Sequence, residues 1–198
     1  MTWVKLCGMT RREDVEKAVR LGADAVGFVV YEGSPRRIGV DDAAVLGRAI
    51  PIDRYLVTVD QSPAELLAAA ERAEVNGVQP HGKHGGAASI AALDAGLAVL
   101  FPVAVGTDRI DLAGVPEGCT PILDTRHDGH GGSGRAFDWA LASGLDGRWV
   151  LAGGLTPGTV REALRLLQPW GVDVASGVEA TPGVKDPDLM RRFIEAVR

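Results

Sequence analysis

Short runs of apolar, often β-branched residues alternate along this chain with segments in which apolar residues recur every three or four positions. The short runs are typical of buried strands, and the three- and four-residue spacing is typical of amphipathic helices. Strands are predicted at 4–7, 25–29, 55–59, 76–79, 98–103, 121–124, 149–152 and 171–174. Helices are predicted near 12–21, 41–49, 63–73, 87–95, 159–167 and 187–197. The alternation predicts successive βα units around a parallel sheet.

Eight parallel strands can close into a barrel or remain an open doubly wound sheet. Their near-equal spacing, and the absence of a dinucleotide-binding glycine motif in the first turn, favour an α/β fold of the closed (β/α)8 TIM-barrel type. Residues 106–120 show no amphipathic helix, so we expect one or more reduced helices around units five and six. The glycine-rich segments 82–86 and 129–134 lie between βα units, so residues 1–198 are predicted to form a single domain.

Local residues also mark where some helices begin. A hydroxyl at Thr10, Ser62 or Thr156 can cap free amides, and Pro63 and Pro157 are suited to an early helical position. These residues predict the starts of the first, third and fifth of these helices.

Composition and charge then exclude several classes of protein. Hydrophobic residues make up 46% of the chain and charged residues 24%, as in ordinary globular proteins. The formal net charge of −5 gives no general reason to bind nucleic acid or an anionic membrane surface. We find neither a secretory signal nor an apolar stretch of the roughly 20 residues that a bilayer requires. A cytoplasmic location is therefore expected.

Two cysteines occur, Cys7 and Cys119, and a reducing compartment would keep both as thiols, with a disulfide between them as the alternative. Cys7 ends the first predicted strand, where the functional residues of such barrels cluster. There it is either a general base, its pKa lowered by nearby amides or cations, or a small buried hydrophobic residue. Cys119 lacks this placement and is expected to be structural.

Asp124 ends the sixth predicted strand. Partial burial there would raise its pKa and suit a general acid, while a carboxylate that caps the following loop is the alternative. Arg36, in the long loop after the second strand, is placed to bind a carboxylate in a bidentate contact, although exposed arginines often have no specific partner.

Glycine-containing turns follow the last two strands, at Gly153-Gly154 and Ser176-Gly177. Missing side chains let backbone amides approach an anion, and a short helix beginning near Ser176 would direct free N–H groups to the same point. For either turn alone, the need for a tight reversal of the chain explains the glycines as well as anion binding does. Their pairing after the last two strands favours a phosphate-binding site.

The histidines form two pairs at three-residue spacing, His81 with His84 and His127 with His130. Both pairs lie in glycine-rich loops, and no cysteine or carboxylate completes a recognisable ligand set. We therefore expect no metal site.

Taken in order, several segments resemble the phosphoribosylanthranilate isomerase family along essentially the whole chain. The matching stretches are 5–10, 27–29 with 34–36, 78–79 with 81–82, 123–124, 131–134 with 137–139, 151–155, and 172–179 with 183 and 185–186. A generic phosphate-binding barrel would share only the last two. The order of all of them makes the resemblance specific.

The resemblance implies an Amadori rearrangement of N-(5'-phosphoribosyl)anthranilate in tryptophan biosynthesis, without a cofactor. By the same resemblance Asp124 is the acid that opens the furanose ring, Cys7 is the base at the sugar C2 carbon, and Arg36 binds the anthranilate carboxylate. The family's phosphate site falls on Gly153, Gly154, Ser176 and Gly177. His81 and Asp173 become substrate neighbours with lesser roles, and the loop 129–134 becomes a candidate lid.

Some positions depart from the family pattern. Pro80 replaces a usual leucine and puts the orientation of His81 in doubt, Lys83-His84 replaces an acidic continuation, and Thr58 stands where phenylalanine is common. The rival interpretations are another phosphate-binding barrel isomerase or lyase, and a non-catalytic sensor of a phosphorylated metabolite. We expect no activity on the related histidine-pathway substrate, a small phosphorylated molecule as the only partner, and a monomer more than a homodimer.

Overall fold

Eight parallel strands close into a barrel in the computed structural model, which describes residues 1–105, 110–125 and 138–198. The strands are β1 Trp3–Cys7, β2 Ala25–Val29, β3 Asp53–Val59, β4 Gly77–His81, β5 Ala98–Val105, β6 Thr120–Thr125, β7 Val150–Leu151 and β8 Gly171–Val174. β1 pairs with β2 on one side and with β8 on the other, so the sheet has no free edge. The predicted (β/α)8 barrel is confirmed.

Helices surround the barrel where the spacing predicted them. They are α1 Arg12–Leu21, α2 Val40–Gly47, α3 Pro63–Arg72, α4 Gly85–Asp94, α5 Val160–Leu167 and α6 Pro187–Val197. The described residues 110–119 between β5 and β6 contain no helix, and only a 3-10 helix, Trp139–Ala142, lies between β6 and β7 in the described part of that connection. The expected reduction around units five and six is confirmed there. In the described part of the chain, no helix is long and apolar enough to cross a membrane.

The predicted helix starts are only partly correct. Ser62 caps α3, because its hydroxyl accepts from Glu65 N and the Glu65 carboxylate accepts from Ser62 N. Thr10 caps nothing, since its hydroxyl donates instead to the Gly183 carbonyl in a hairpin of β9 Glu179–Thr181 and β10 Val184–Lys185. The start predicted at Thr156 is also displaced, because Thr159 occupies the N-cap of α5.

The barrel interior is filled by side chains that point inward from alternate positions of each strand. At the amino-terminal end of β1, Trp3 stacks on Trp170 with ring centroids 5.0 Å apart, and its edge meets Tyr55 at 5.9 Å. Lys5 and then Cys7 follow on the same face of β1. The apolar layer closes one end of the barrel and leaves polar residues at the other.

Candidate active site

A cleft of about 150 Å³ opens at the carboxyl ends of the strands. Every residue that the sequence assigned to the site lines it: Cys7, Arg36, His81, Asp124, Gly153, Gly154, Asp173, Ser176 and Gly177. They come from six strands or from the loops that follow them, as expected for a barrel of this kind. The structure thus brings the predicted residues together, while their individual roles stay predictions.

Cys7 is the last residue of β1 and only 7% exposed. A methyl group at Gly27 would stand 2.7 Å from its Sγ atom, so the neighbouring strand leaves room for the thiol by lacking a side chain. Burial raises the pKa of Cys7, and the cation of Lys5 opposes that rise. The expected fall in the thiol pKa is therefore wrong, because desolvation outweighs the nearby cations. Both cysteines are free, which excludes the alternative of a disulfide.

Beneath Cys7, a fully buried lysine joins opposite walls of the barrel. Lys5 Nζ donates to Asp173 Oδ1 at 2.9 Å and to Gln79 Oε1 at 3.0 Å, and Gln79 Nε2 lies 3.1 Å from His81 Nε2. Burial lowers the pKa of Lys5, but the charges of Asp173 and Cys7 raise it by more than burial lowers it. The net pKa of Lys5 therefore exceeds its ordinary value. Lys5 therefore stays charged inside the barrel.

Arg36 is held by a residue that we did not predict. Its Nε and Nη2 atoms donate to the two carboxylate oxygens of Glu179, each at 2.8 Å. Lys185 Nζ donates to the same carboxylate at 2.9 Å and to the Ala175 carbonyl at 3.0 Å. Gly8 has φ +75°, and a methyl group there would stand 2.6 Å from Arg36 Cδ. The loop after β2 is thereby fixed to the segment after β8.

The charges of this cluster shift each other's protonation. Burial raises the pKa of Glu179, yet the hydrogen bond from Arg36 and the charge of Lys185 more than offset it, and the net pKa lies below its ordinary value. Burial also lowers the pKa of Lys185, against the attraction of Glu179. Glu179 is therefore an ionised carboxylate that keeps Arg36 in place.

The two glycine turns after β7 and β8 touch each other through backbone atoms. Gly153 and Gly154 adopt φ +78° and +69°, the left-handed region that favours glycine. A methyl group at Gly177 would stand 1.9 Å from the Leu155 carbonyl oxygen. Ser176 begins a short 3-10 helix, Ser176–Val178, as predicted. The turns form a single wall of the cleft.

Asp124 and His81 face the same cleft from β6 and β4. Pro80 does not turn His81 away from the cleft. The pairing of β4 with β5 ends at Val78, before Pro80, while the pairing of β4 with β3 continues as far as His81. A proline without an N–H is tolerated where one side of the strand needs no donor.

Among residues 1–105, 110–125 and 138–198, no group of three or more His, Cys, Asp or Glu side chains is arranged to hold a metal ion. His127, His130 and the proposed lid 129–134 lie outside the described residues.

The signals for the unpredicted residues were weak. Lys5 lies two positions before Cys7 and so shares its strand face, but its partners Gln79 and Asp173 are 74 and 168 residues away. Glu179 and Lys185 likewise belong to matching stretches, yet neither residue follows a barrel strand directly. Strand-end placement alone could not select them.

A closed (β/α)8 barrel whose cleft joins a thiol, a carboxylate, an anchored arginine and two glycine turns at the carboxyl ends of its strands belongs to the class of TIM-barrel enzymes.

Comparison with known proteins gives the particular family. The family model for N-(5'-phosphoribosyl)anthranilate (PRA) isomerase matches residues 4–196, so the chain belongs to that family. It is 40% identical to the N-(5'-phosphoribosyl)anthranilate isomerase of Methylibium petroleiphilum, over 100% of this chain and 94% of the relative.

Solved structures of the family have the same fold. Monomeric forms generated from the dimeric phosphoribosylanthranilate isomerase of Thermotoga maritima match with a TM-score of 0.86 at 35% identity, over 99% of this chain and 98% of that one. A phosphoribosylanthranilate isomerase in complex with reduced 1-(o-carboxyphenylamino)-1-deoxyribulose 5-phosphate matches with a TM-score of 0.84 at 34% identity, with the same coverage of both chains.

Proposed function

We propose that this chain is an N-(5'-phosphoribosyl)anthranilate isomerase, which forms 1-(2-carboxyphenylamino)-1-deoxyribulose 5-phosphate in tryptophan biosynthesis. The observation that carries the proposal is the cleft itself, in which Cys7 and Asp124 face the same space as Arg36 and the two glycine turns. Family membership and the relative bound to a reduced form of this product support it.

In the proposed first step, Asp124 protonates the furanose ring oxygen. The bond between that oxygen and C1 then breaks as the anilino nitrogen shares its electron pair with C1, which gives an open-chain protonated imine. Asp124 stands at the end of β6, three strands away from β1 around the ring of eight. A carboxyl group there reaches the sugar from the side opposite Cys7.

In the second step, the Cys7 thiolate removes the proton from C2, whose acidity the protonated imine increases. The electron pair left on C2 forms the C1–C2 double bond and neutralises the imine nitrogen, giving an enolamine. Loss of the C2 hydroxyl proton and protonation of C1 produce the ketone. Substrate and product have the same atoms and oxidation level, so the reaction requires no cofactor.

The charged ends of the substrate are proposed to bind at opposite ends of the cleft. Arg36 would hold the anthranilate carboxylate with the N–H groups that Glu179 leaves unused, since Glu179 occupies Nε and one side of Nη2. Gly153, Gly154, Ser176 and Gly177 would hold the phosphate through backbone amides. Fixing both ends aligns C1 and C2 between the acid and the base.

We further propose that His81 and Asp173 contact the substrate in lesser roles, that the protein acts in the cytoplasm, and that it is a monomer. Hydrogen bonding of His81 and Asp173 to the Lys5 and Gln79 network supports a positioning role for both.

The first prediction concerns the proposed acid and base. Isomerisation of phosphoribosylanthranilate, followed by the loss of its fluorescence, is measured for the wild type, Cys7→Ala and Asp124→Asn. Removal of a general acid or base should lower kcat by about a hundredfold or more. Cys119→Ala, which changes the cysteine outside the cleft, should keep wild-type turnover.

Two outcomes would contradict the proposal in different ways. An inactive wild type that still binds the substrate would favour a sensor. Near-normal turnover of Cys7→Ala or Asp124→Asn would retain the enzyme and remove that residue from its assigned role.

A further inference from the structure

We propose that Lys5 is a positioning residue for Cys7: its buried ammonium group, anchored by Asp173 and Gln79, lies beside the Cys7 sulfur and stabilises the thiolate. The pairing itself is a property of this chain's own residues. Its importance for turnover rests on the proposed function, in which Cys7 is the base.

The geometry of β1 places the two groups together. Lys5 and Cys7 are two residues apart on one strand, so both side chains point into the barrel. A methyl group at Gly27 would stand 2.7 Å from Cys7 Sγ and 3.1 Å from Lys5 Cε, and Gly27 is the register partner of Cys7 on β2. Both side chains therefore pack against the same bare segment of the neighbouring strand.

The hydrogen bonds of the ammonium group leave a donor for the sulfur. Two of its hydrogens go to Asp173 Oδ1 and Gln79 Oε1. The third hydrogen remains for the Cys7 sulfur, which packs beside Lys5 Cε against the same Gly27. Anchors on β8 and β4 hold the nitrogen in place, because a flexible lysine would otherwise lose this orientation.

Cys7 needs such a partner because it lies in a desolvated position. Burial and the negative charge of Asp173 both disfavour its thiolate, while Lys5 and Lys185 favour it. Other charged or titratable groups that line the cleft around it are Tyr31, Arg36, His81 and Asp124. Of the two favourable cations, Lys5 has the stronger influence on the thiol and shares its strand.

The second prediction is that Lys5→Met raises the pKa of Cys7 by about one unit or more, as expected for loss of a charged hydrogen-bond donor. Near neutral pH the thiolate fraction, and with it kcat, should then fall about tenfold for each unit. Turnover should recover as the pH is raised. A merely structural defect would not produce that recovery.

The pKa is measured without substrate, from the ultraviolet absorbance of the thiolate in full-length Cys119→Ser protein. The absorbance of the Cys7→Ala, Cys119→Ser double variant is subtracted to remove the tyrosine contribution. Lys17→Met is the matched control, because it removes a lysine charge from α1 outside the cleft. It should leave the Cys7 titration unchanged.

A second variant should shift the pKa of Cys7 in the opposite direction. Asp173→Asn removes a negative charge that disfavours the thiolate while Gln79 still anchors Lys5, so the pKa of Cys7 should fall. If Lys5→Met does not fold, Gln79→Leu decides the question, because it removes the neutral anchor of Lys5 without changing a charge: a rise in the Cys7 pKa supports the proposal, and an unchanged or lower pKa overturns it. Non-specific damage would not give shifts of opposite sign in the two variants.

The assays separate this inference from the proposed function. If the wild type fails to isomerise the substrate while the two thiol shifts occur, the pairing stands and the assigned reaction fails. If the wild type is active but folded Lys5→Met titrates like the wild type, the role of Lys5 is overturned and the assigned reaction stands.

Discussion

Gly177 packs directly against the turn after β7, since a methyl group on its Cα would stand 1.9 Å from the Leu155 carbonyl oxygen. No rotamer change relieves a clash between two backbone segments. The contact therefore fixes the distance between the two turns that are proposed to share the phosphate. A side chain at this position would separate them.

The third prediction follows from this contact. Gly177→Ala should destabilise the protein by about 1–3 kcal/mol through local overpacking and raise KM for the phosphorylated substrate about tenfold or more. Unfolding in urea and steady-state kinetics measure the two effects.

Gly86→Ala is the matched control for that substitution. Gly86 lies in α4 with nothing within 4 Å of an added methyl group. The extra helix propensity should stabilise the protein by about 0.5–1 kcal/mol with unchanged KM. If Gly177→Ala behaves like Gly86→Ala, the backbone contact has no role in the site.

At the scale of elements, an ion pair joins the β2–α2 loop to the β9–β10 hairpin. Arg36 and Lys185 both donate to Glu179, whose side chain is only 4% exposed. Removing one partner of such a buried cluster leaves cations without a counter-charge, which is costly. The cluster therefore couples the placement of Arg36 to the fold of the hairpin.

The fourth prediction concerns acid stability. The folded-state pKa of Glu179 lies below its ordinary value of 4.5, so its stabilisation is present above that pH and is lost as the pH falls towards the folded pKa. Glu179→Gln should lower the free energy of unfolding by about 3 kcal/mol near neutral pH. Its difference from the wild type should shrink as the pH falls below 4.5.

Urea unfolding over this pH range measures the difference. Glu195→Gln, which changes an exposed partner of Arg191 on α6, is the control and should cost less than about 0.5 kcal/mol. If the loss of unfolding free energy in Glu179→Gln stays constant on acidification, the pKa of Glu179 does not differ between the folded and unfolded states.

The elements were largely predictable from the sequence because each depends on local pattern. The three- and four-residue spacing located the six α-helices of the described residues to within two residues at either end. Strand ends then indicated Cys7 and Asp124. Lys5 and Glu179 were missed because their roles depend on partners far away in sequence. The direction of the Cys7 pKa shift was also wrong, because burial is a property of the closed barrel and not of β1.

At the scale of the whole molecule, the two ends of the barrel differ in composition and in expected role. Aliphatic and aromatic residues fill the amino-terminal end, and the cleft occupies the carboxyl-terminal end. Residues at the first end are expected to affect stability, and those at the second to affect activity.

The fifth prediction concerns assembly. In the described ranges, the exposed large hydrophobic residues are Met1, Val45, Ile90 and Leu166, and the last three lie on different helices. Such scattered residues do not require a partner surface. Light scattering of the purified protein should therefore give a mass near 20.8 kDa. A concentration-independent mass of twice that value would show a dimer, as in the Thermotoga maritima relative.

The stacked pair of Trp3 and Trp170 provides an optical reporter of ring closure. Trp3 lies in β1, and Trp170 immediately precedes β8, so the stack joins the first and last strands of the ring. Two indoles 5.0 Å apart are close enough for their electronic transitions to couple, so we expect a paired positive and negative band in circular dichroism. The band would vanish when β1 separates from β8, even while the helices remain folded. The intact chain thus contains, without any added dye, a signal that distinguishes opening of the barrel from melting of its outer layer.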